Sequence, residues 1–279
     1  MSDIKRMAVE AKSKFSDFKR RSPAAKHPIA FGSELIQSRL RTLDERRTLI
    51  DAREGCETVW ETLPEEAEPL VTIRIATYGR GPLIAERALP SALAQTYENL
   101  EILVIGDHCD EVTEKAVRSF DDPRIRFINL AEHGRYPSDP TLRWLVAGMT
   151  PMNAGLALAQ GHWIAPCDDD DELTEDHVEV LLNEVRSRKL EFVWSSAKWE
   201  TRPGEWITLG DGSFAHAAFS HGSVFYASGL RFFRYNENGW KLMLPGDWEL
   251  WSRMKRAGVR MGFVNHTTYV HYAEDRWRR

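Results

Sequence analysis

Apolar residues recur along this chain with two different periods, and the change falls near residue 70. Before it, Ile4, Met7, Ala8, Ala11, Phe15 and Phe18 return at helical spacing, which predicts an amphipathic helix from Ser2 to Arg20. A Pro/Ala/His linker, Ser22 to Phe31, leads to a second predicted helix from about Glu34 to Glu54. Its apolar stripe is Leu35, Ile36, Leu40, Leu43, Leu49 and Ile50. Glu65-Glu66-Ala67-Glu68-Pro69 reads as a linker and divides the chain into a helical extension, residues 1–68, and a main domain, residues 69–279.

From Leu70 onward, strand and helix patterns alternate. Val71, Ile73 and Ile75 predict a strand ending at Thr77-Tyr78-Gly79-Arg80, and Pro82 opens a helix that stops near Gln95-Thr96-Tyr97. Glu101 to Ile105 predicts a second strand running into Gly106-Asp107-His108-Cys109-Asp110. A helix over about 112–119, a strand over 125–128, a helix over about 152–159 and a strand over 163–165 follow. Such alternation implies an α/β fold with a mostly parallel sheet, right-handed crossovers and helices on its faces.

Composition narrows the classes. The net charge is -5, which gives no global basic field for nucleic acid. Three cysteines without a C-x-x-C spacing suit a reducing, cytoplasmic setting better than a disulfide framework or zinc site. No stretch approaches the ~20 apolar residues of a membrane span, and no signal peptide is predicted. The first 26 residues carry eight Lys/Arg against three acids. Their helix is expected to pack on the main domain or on a second subunit, or to lie on an anionic membrane surface. Ten tryptophans, most of them after residue 140, also fit a binder of amphipathic sugar rings.

The chemistry concentrates in Asp168 to Asp171, four carboxylates at the end of an apolar strand. Carboxylates crowded there repel one another unless a cation or hydrogen-bond donors neutralise them. A divalent ion with oxygen ligands completed by a diphosphate is one solution; a solvated turn capping the helix that starts near Thr174 is the other. In an extended segment Asp169 points away from its neighbours, and Asp171 is a candidate cap. An EF-hand is disfavoured, because the sixth loop position counted from Asp168 is Leu173 and lacks the glycine of the sharp turn.

Val71-Thr-Ile-Arg-Ile-Ala-Thr-Tyr-Gly-Arg80, Ser91-Ala-Leu-Ala-Gln-Thr-Tyr97 and Glu101-Ile-Leu-Val-Ile-Gly-Asp107 resemble the opening of the inverting family 2 glycosyltransferases. Asn153-Ala-Gly-Leu156, Gly161-His-Trp-Ile-Ala165, Asp168-Asp-Asp-Asp-Glu172 and Gly246-Asp-Trp-Glu-Leu-Trp-Ser-Arg253 resemble its later signatures. The resemblance covers roughly residues 70 to 272. It implies a GT-A type Rossmann-like fold, a nucleotide-diphosphate sugar donor (a UDP-sugar is favoured), Mn²⁺ or Mg²⁺, and a glycan or glycolipid acceptor. By the same resemblance, Thr77, Tyr78, Arg80, Asp107, Asn153, Asp168 and Asp169 are expected at the donor, with Asp168, Asp170 and His271 at the metal. Two departures stand out. Gly106 replaces the first of a common aspartate pair, and Met152 replaces the arginine that usually precedes Asn153, with Arg143 as a possible substitute.

The second half is expected to carry the acceptor, with Trp199, His221 and Trp248 as candidates. Asp247, at the start of a predicted helix and matching the family's acidic position, is the expected general base; capping that helix is its alternative role. Glu249 lies roughly 200° further round the helix and is not expected to share that site. Two other classes remain open: a non-catalytic sugar- or nucleotide-binding scaffold on the same fold, and a metallophosphoesterase. The second is weakened because Asn265-His266 lacks an acidic follower.

Overall fold

In the computed structural model, residues 28–61 and 68–273 are described. The predicted helix Ser2 to Arg20 and most of the acidic linker near residue 65 lie outside them. Helix α1 spans Pro28–Ala52. The alternation from residue 70 then gives β1 (Val71–Thr77), a helix α2 built from Gly81–Leu83, a π-wound turn Ile84–Ala88 and Leu89–Leu93, and β2 (Leu100–Gly106). Helix α3 (Glu111–Arg118), β3 (Ile125–Asn129), α4 (Pro140–Trp144), α5 (Met149–Leu158) and β4 (Trp163–Asp168) follow. The second half holds β5 (Glu172–Leu173), α6 (His177–Ser187), β6 (Phe192–Arg202), β7 (Glu205–Leu209), β8 (Val224–Ala227), α7 (Gly246–Ala257) and β9 (Met261–His271).

Among the described residues these strands form one sheet in the order β3-β2-β1-β4-β8-β6-β9-β5, with β7 paired to β6. The first half is parallel, as the alternation predicts. Beyond β4 the sheet is mixed: β8 runs antiparallel to both β4 and β6, β9 is parallel to β6, and β5 antiparallel to β9. Register aligns Thr77 with Gly106 and Ala76 with Asp168, so three chain segments leave the sheet along one edge. That edge meets the antiparallel half, a place where α/β sheets open a crevice. Central strands are covered on both faces, which is why Val71, Ile73, Ile75 and Ile102 to Ile105 are all buried.

The apolar stripe predicted for α1 does not face the core. Ile36, Leu40, Leu43 and Ile50 are 61%, 56%, 55% and 59% exposed, while Glu34, Ser38, Glu45 and Leu49 are buried. The inward face is therefore mostly polar, and its partners explain it. Glu45 pairs with Arg253 of α7, Ser38 donates to Glu249 of the same helix at 3.1 Å, and Asn236 donates to Glu34 at 2.8 Å. Hydrogen-bonded charge, rather than apolar area, docks α1 on the main body.

His177, at the first position of α6, is fully buried and its Nδ1 lies 2.9 Å from the Thr268 hydroxyl. Burial pushes its pKa down to about 4. Between the usual value of ~6.5 and 4 the unfolded chain binds a proton that the folded chain refuses, so stability falls as pH falls through that window. Acidifying from pH 7 to 5 is expected to cost roughly 2 kcal/mol through this group. Melting curves of wild type and His177→Gln at both pH values check it, and the variant should lose that part of the slope.

Candidate active site

Asp168 ends β4, and the turn that follows carries the other three aspartates. Each carboxylate is met by a partner, and some partners are shared. Asp168 lies 2.8 Å from His221 Nδ1 and accepts from the Tyr269 hydroxyl at 3.2 Å. Burial raises its pKa, but the charge and hydrogen bond of His221 outweigh that and hold it at about 2. Asp169 and Asp170 both face Arg80, which follows β1; Asp169 is 3.4 Å away and Asp170 forms the closer ion pair. Burial pushes Asp169 up to about 7 against the pull of Arg80. Arg87 of α2 donates to the Asp170 carbonyl at 2.8 Å.

Asp171 is fully buried and does not cap the following helix, whose N-cap is Asp176. It accepts from the Tyr269 hydroxyl and His271 Nδ1, both at 2.7 Å, and from the Tyr272 backbone N–H at 2.9 Å. The pairing raises the pKa of His271, its ion pair and hydrogen bond with Asp171 overcoming burial. Trp199 of β6 stacks on the His271 ring at 3.6 Å between centroids, so the predicted acceptor and metal residues share one wall. A glycine makes this packing possible. A Cβ at Gly222 would stand 2.1 Å from the Tyr269 ring, so only glycine lets Tyr269 and His221 both reach Asp168.

Behind His221 lies a buried chain that sequence reasoning missed. His221 Nε2 is 3.0 Å from the Tyr235 hydroxyl and 3.2 Å from Arg74 Nη2, and Arg74 donates to Tyr235 at 3.0 Å. Arg74 is buried in the middle of β1, and its Nε and Nη1 have no hydrogen-bond partner among the described residues. The available signal was an arginine inside an otherwise apolar parallel strand, a position that demands compensation.

The donor end departs from expectation. Asp107 is buried with both oxygens engaged: Oδ1 accepts from the Gly134 N–H at 2.8 Å, and Oδ2 from the Tyr136 hydroxyl at 2.6 Å with His133 Nδ1 at 3.1 Å. The carboxylate thus ties down the loop after β3. Gly106 is also explained, because a Cβ there would meet Asn129 Oδ1 at 2.6 Å, and Asn129 holds both the N–H and carbonyl of Cys109. What does lie open is Tyr78, 58% exposed and stacked on His133 at 4.4 Å. Thr77 is buried and its carbonyl receives the Asp107 N–H at 2.9 Å.

Asn153 clasps the backbone of Tyr235, accepting from its N–H at 2.9 Å and donating to its carbonyl at 3.0 Å. It thereby positions Tyr235. Arg143 is spent on the carbonyls of Pro137 and Ser138. Asp247 is half-buried at the second position of α7. It is not the cap: Pro245 holds that position and no side chain caps the helix. The Asp247 charge acts on Tyr235 and on His216. Trp248 packs with Phe214, His216 and Phe219.

The donor atoms suit a hard divalent ion: carboxylate oxygens of Asp168 and Asp170, and the second nitrogen of His271. They are not gathered into one ready cluster, since among the described residues no three such groups converge. Their charge is met instead by Arg80, His221 and His271.

Residues 150–242 match the family model described as Glycosyl transferase family 2. A succinoglycan biosynthesis protein, ExoO of Rhizobium meliloti, is 33% identical over 114 residues, 41% of this chain and 29% of that protein. The chain thus matches less than a third of that relative's length. In fold, the chain resembles S. aureus TarS 1-349 in complex with UDP-GlcNAc, with TM-score 0.58 and 14% identity over 73% of this chain and 59% of that one. It also resembles the mannosyltransferase PcManGT from Pyrobaculum calidifontis in complex with GDP-Man and Mn²⁺, with TM-score 0.53 and 16% identity over 90% and 70%. Motif order, the mixed sheet and these likenesses agree: the chain carries a GT-A fold and, over residues 150–242, matches the family 2 glycosyltransferases.

Proposed function

We propose that this chain is an inverting glycosyltransferase, moving a sugar from a nucleotide-diphosphate donor to an acceptor hydroxyl. The observation that carries the reading is the run Asp168–Asp171 on the edge where β1, β2 and β4 end, faced by Arg80 and Arg87. Asp168 and Asp170, with His271, would hold Mn²⁺ or Mg²⁺, which when bound offsets the negative charge that develops on the departing diphosphate. Arg80 is the cation of this chain that can turn from Asp170 to a phosphate oxygen. Tyr78 offers the base an exposed ring. Trp199, stacked on His271, offers a flat apolar face to a sugar ring.

Inversion follows from a single in-line displacement. Asp247 takes the acceptor proton as the oxygen attacks the anomeric carbon, and the nucleoside diphosphate leaves. Likeness to a succinoglycan biosynthesis protein supports a cell-surface glycan or glycolipid as acceptor.

Thermal shift with a panel of nucleotide sugars, with and without Mn²⁺, tests the donor class. A true donor at ~100 times its dissociation constant stabilises by roughly 2.7 kcal/mol. Asp170→Asn is expected to weaken Mn²⁺-dependent donor binding at least tenfold, about 1.4 kcal/mol. Its melting temperature should hold, because the Asp170 side chain reaches Arg80 rather than the core. Donor affinity and metal dependence that both stay at wild-type values in this variant would remove Asp170 from the site.

A further inference from the structure

Asp171 is the member of the acidic run that is closed to solvent. Asp168, Asp169 and Asp170 keep 30%, 10% and 12% of their side chains exposed, and Asp171 keeps none. Its oxygens are also occupied. The Tyr269 hydroxyl and His271 Nδ1 converge on Oδ2, each at 2.7 Å, and the Tyr272 N–H reaches Oδ1 at 2.9 Å. A carboxylate so placed is poorly suited to hold an ion itself, and whatever it contributes to the site passes through its partners.

His271 is the partner through which it can act. Three donors converging on one carboxylate favour its acceptor-only form, so the ring nitrogen that faces Oδ2 carries the hydrogen. In the neutral ring that leaves Nε2 with a lone pair. Two further contacts fix the ring. Trp199 and His271 are register partners across β6 and β9, and their rings stack at 3.6 Å with 28° between planes. Turning the ring over would set a C–H against Asp171 in place of an N–H. Among the described residues Nε2 makes no hydrogen bond, and the His271 side chain is 20% exposed.

We propose that Asp171 is a positioning residue: it fixes the tautomer and the direction of the His271 ring, and so keeps Nε2 available to a divalent cation. The inference rests on the reading of His271 as a metal ligand, and it gives the fourth aspartate a task of its own. A carboxylate behind a ligating imidazole orients the ring and raises its basicity, and loss of such a partner typically costs about 10- to 100-fold in metal affinity. The competing role is packing alone, since Asp171 also pins Tyr269 and the Tyr272 backbone to the turn. A carboxylate that only packs would act on metal affinity equally with and without the imidazole.

Two readouts on the full chain test it. In the metal-free protein at about pH 9, where a free imidazole is neutral, long-range ¹H–¹⁵N spectra of the histidine rings should show the His271 hydrogen on Nδ1. Its signal is identified by its absence in His271→Gln. Asp171→Asn offers the ring an amide that can donate, and the hydrogen is expected to move to Nε2. Mn²⁺ alone, titrated by loss of its free-ion EPR signal, should bind that variant about 10- to 100-fold more weakly. In a His271→Gln background Asp171→Asn should leave Mn²⁺ affinity unchanged. A wild-type ring with its hydrogen on Nε2 overturns the proposal, and that measurement needs no variant to fold. So does an equal loss of Mn²⁺ affinity from Asp171→Asn with and without His271. Equal Mn²⁺ affinity in wild type and His271→Gln would end the reading of His271 as a ligand, and the proposal with it, whichever tautomer the spectra show.

Discussion

Replacing Asp247 by Asn is expected to lower kcat about 10²–10⁴-fold, the usual contribution of a positioned general base. Melting temperature and donor affinity should stay near wild type. The separation is clean because of where Asp247 sits. An aspartate that caps a helix contributes about 1 kcal/mol through that bond, but here Pro245 holds the cap position and no side chain caps the helix. The contact its carboxylate does make, to the N–H of Trp248 at 2.7 Å, can be kept by an Asn carbonyl. Asn preserves shape and removes basicity. Its charge reaches Tyr235, which bonds His221, which pairs with Asp168. A variant that loses only substrate affinity, with kcat intact, would assign Asp247 to acceptor binding instead.

Arg253→Met is expected to destabilise the protein by about 3–5 kcal/mol without altering the chemistry directly. Arg253 is fully buried in α7. Its Nε bridges both oxygens of Glu249 at 3.0 and 2.8 Å, one Nη pairs with Glu45 of α1, and the other donates to the Arg234 carbonyl. Removing the cation strands two carboxylates out of water. Burial already holds the Glu45 carboxyl above its usual range despite Arg253, so it takes up a proton when the arginine goes. At roughly 2–4 °C per kcal/mol for a chain of this size, the melting temperature should fall by about 6–20 °C. Replacing all three charges with apolar residues of similar volume should recover most of that loss. A single variant that melts within 2 °C of wild type, by about the shift of ~1 kcal/mol or less, would show that water reaches the cluster.

Local pattern was enough for the first half of the sheet. β1, β2 and β4 are apolar runs closed by polar turns, and the acidic run follows β4 at the edge where those strands end. Non-local polar partners were not legible. α1 offered two faces, and hydrophobicity chose the wrong one, because the arginine that draws Glu45 inward lies 208 residues away. Asp107 looked like a base-reading carboxylate since nothing in its own segment shows that Tyr136 and Gly134 will occupy it. Asn153 is similar, its partner Tyr235 lying 82 residues on. Mixed strand order beyond β4 escaped for a related reason: short strands such as Glu172–Leu173 owe their existence to a neighbour rather than to their own sequence.

Asp171 has a consequence for how the molecule comes into being. Its three partners, Tyr269, His271 and Tyr272, stand 98 to 101 residues further along the chain. During synthesis at about 5–20 residues per second, the acidic turn leaves the ribosome seconds before anything that can neutralise its innermost charge. Until β9 slides in between β6 and β5, Asp171 lacks its donors, whereas Arg80 and His221 can already meet the other three carboxylates. β9, the last strand in chain order among the described residues, is thus the one that lets the turn close.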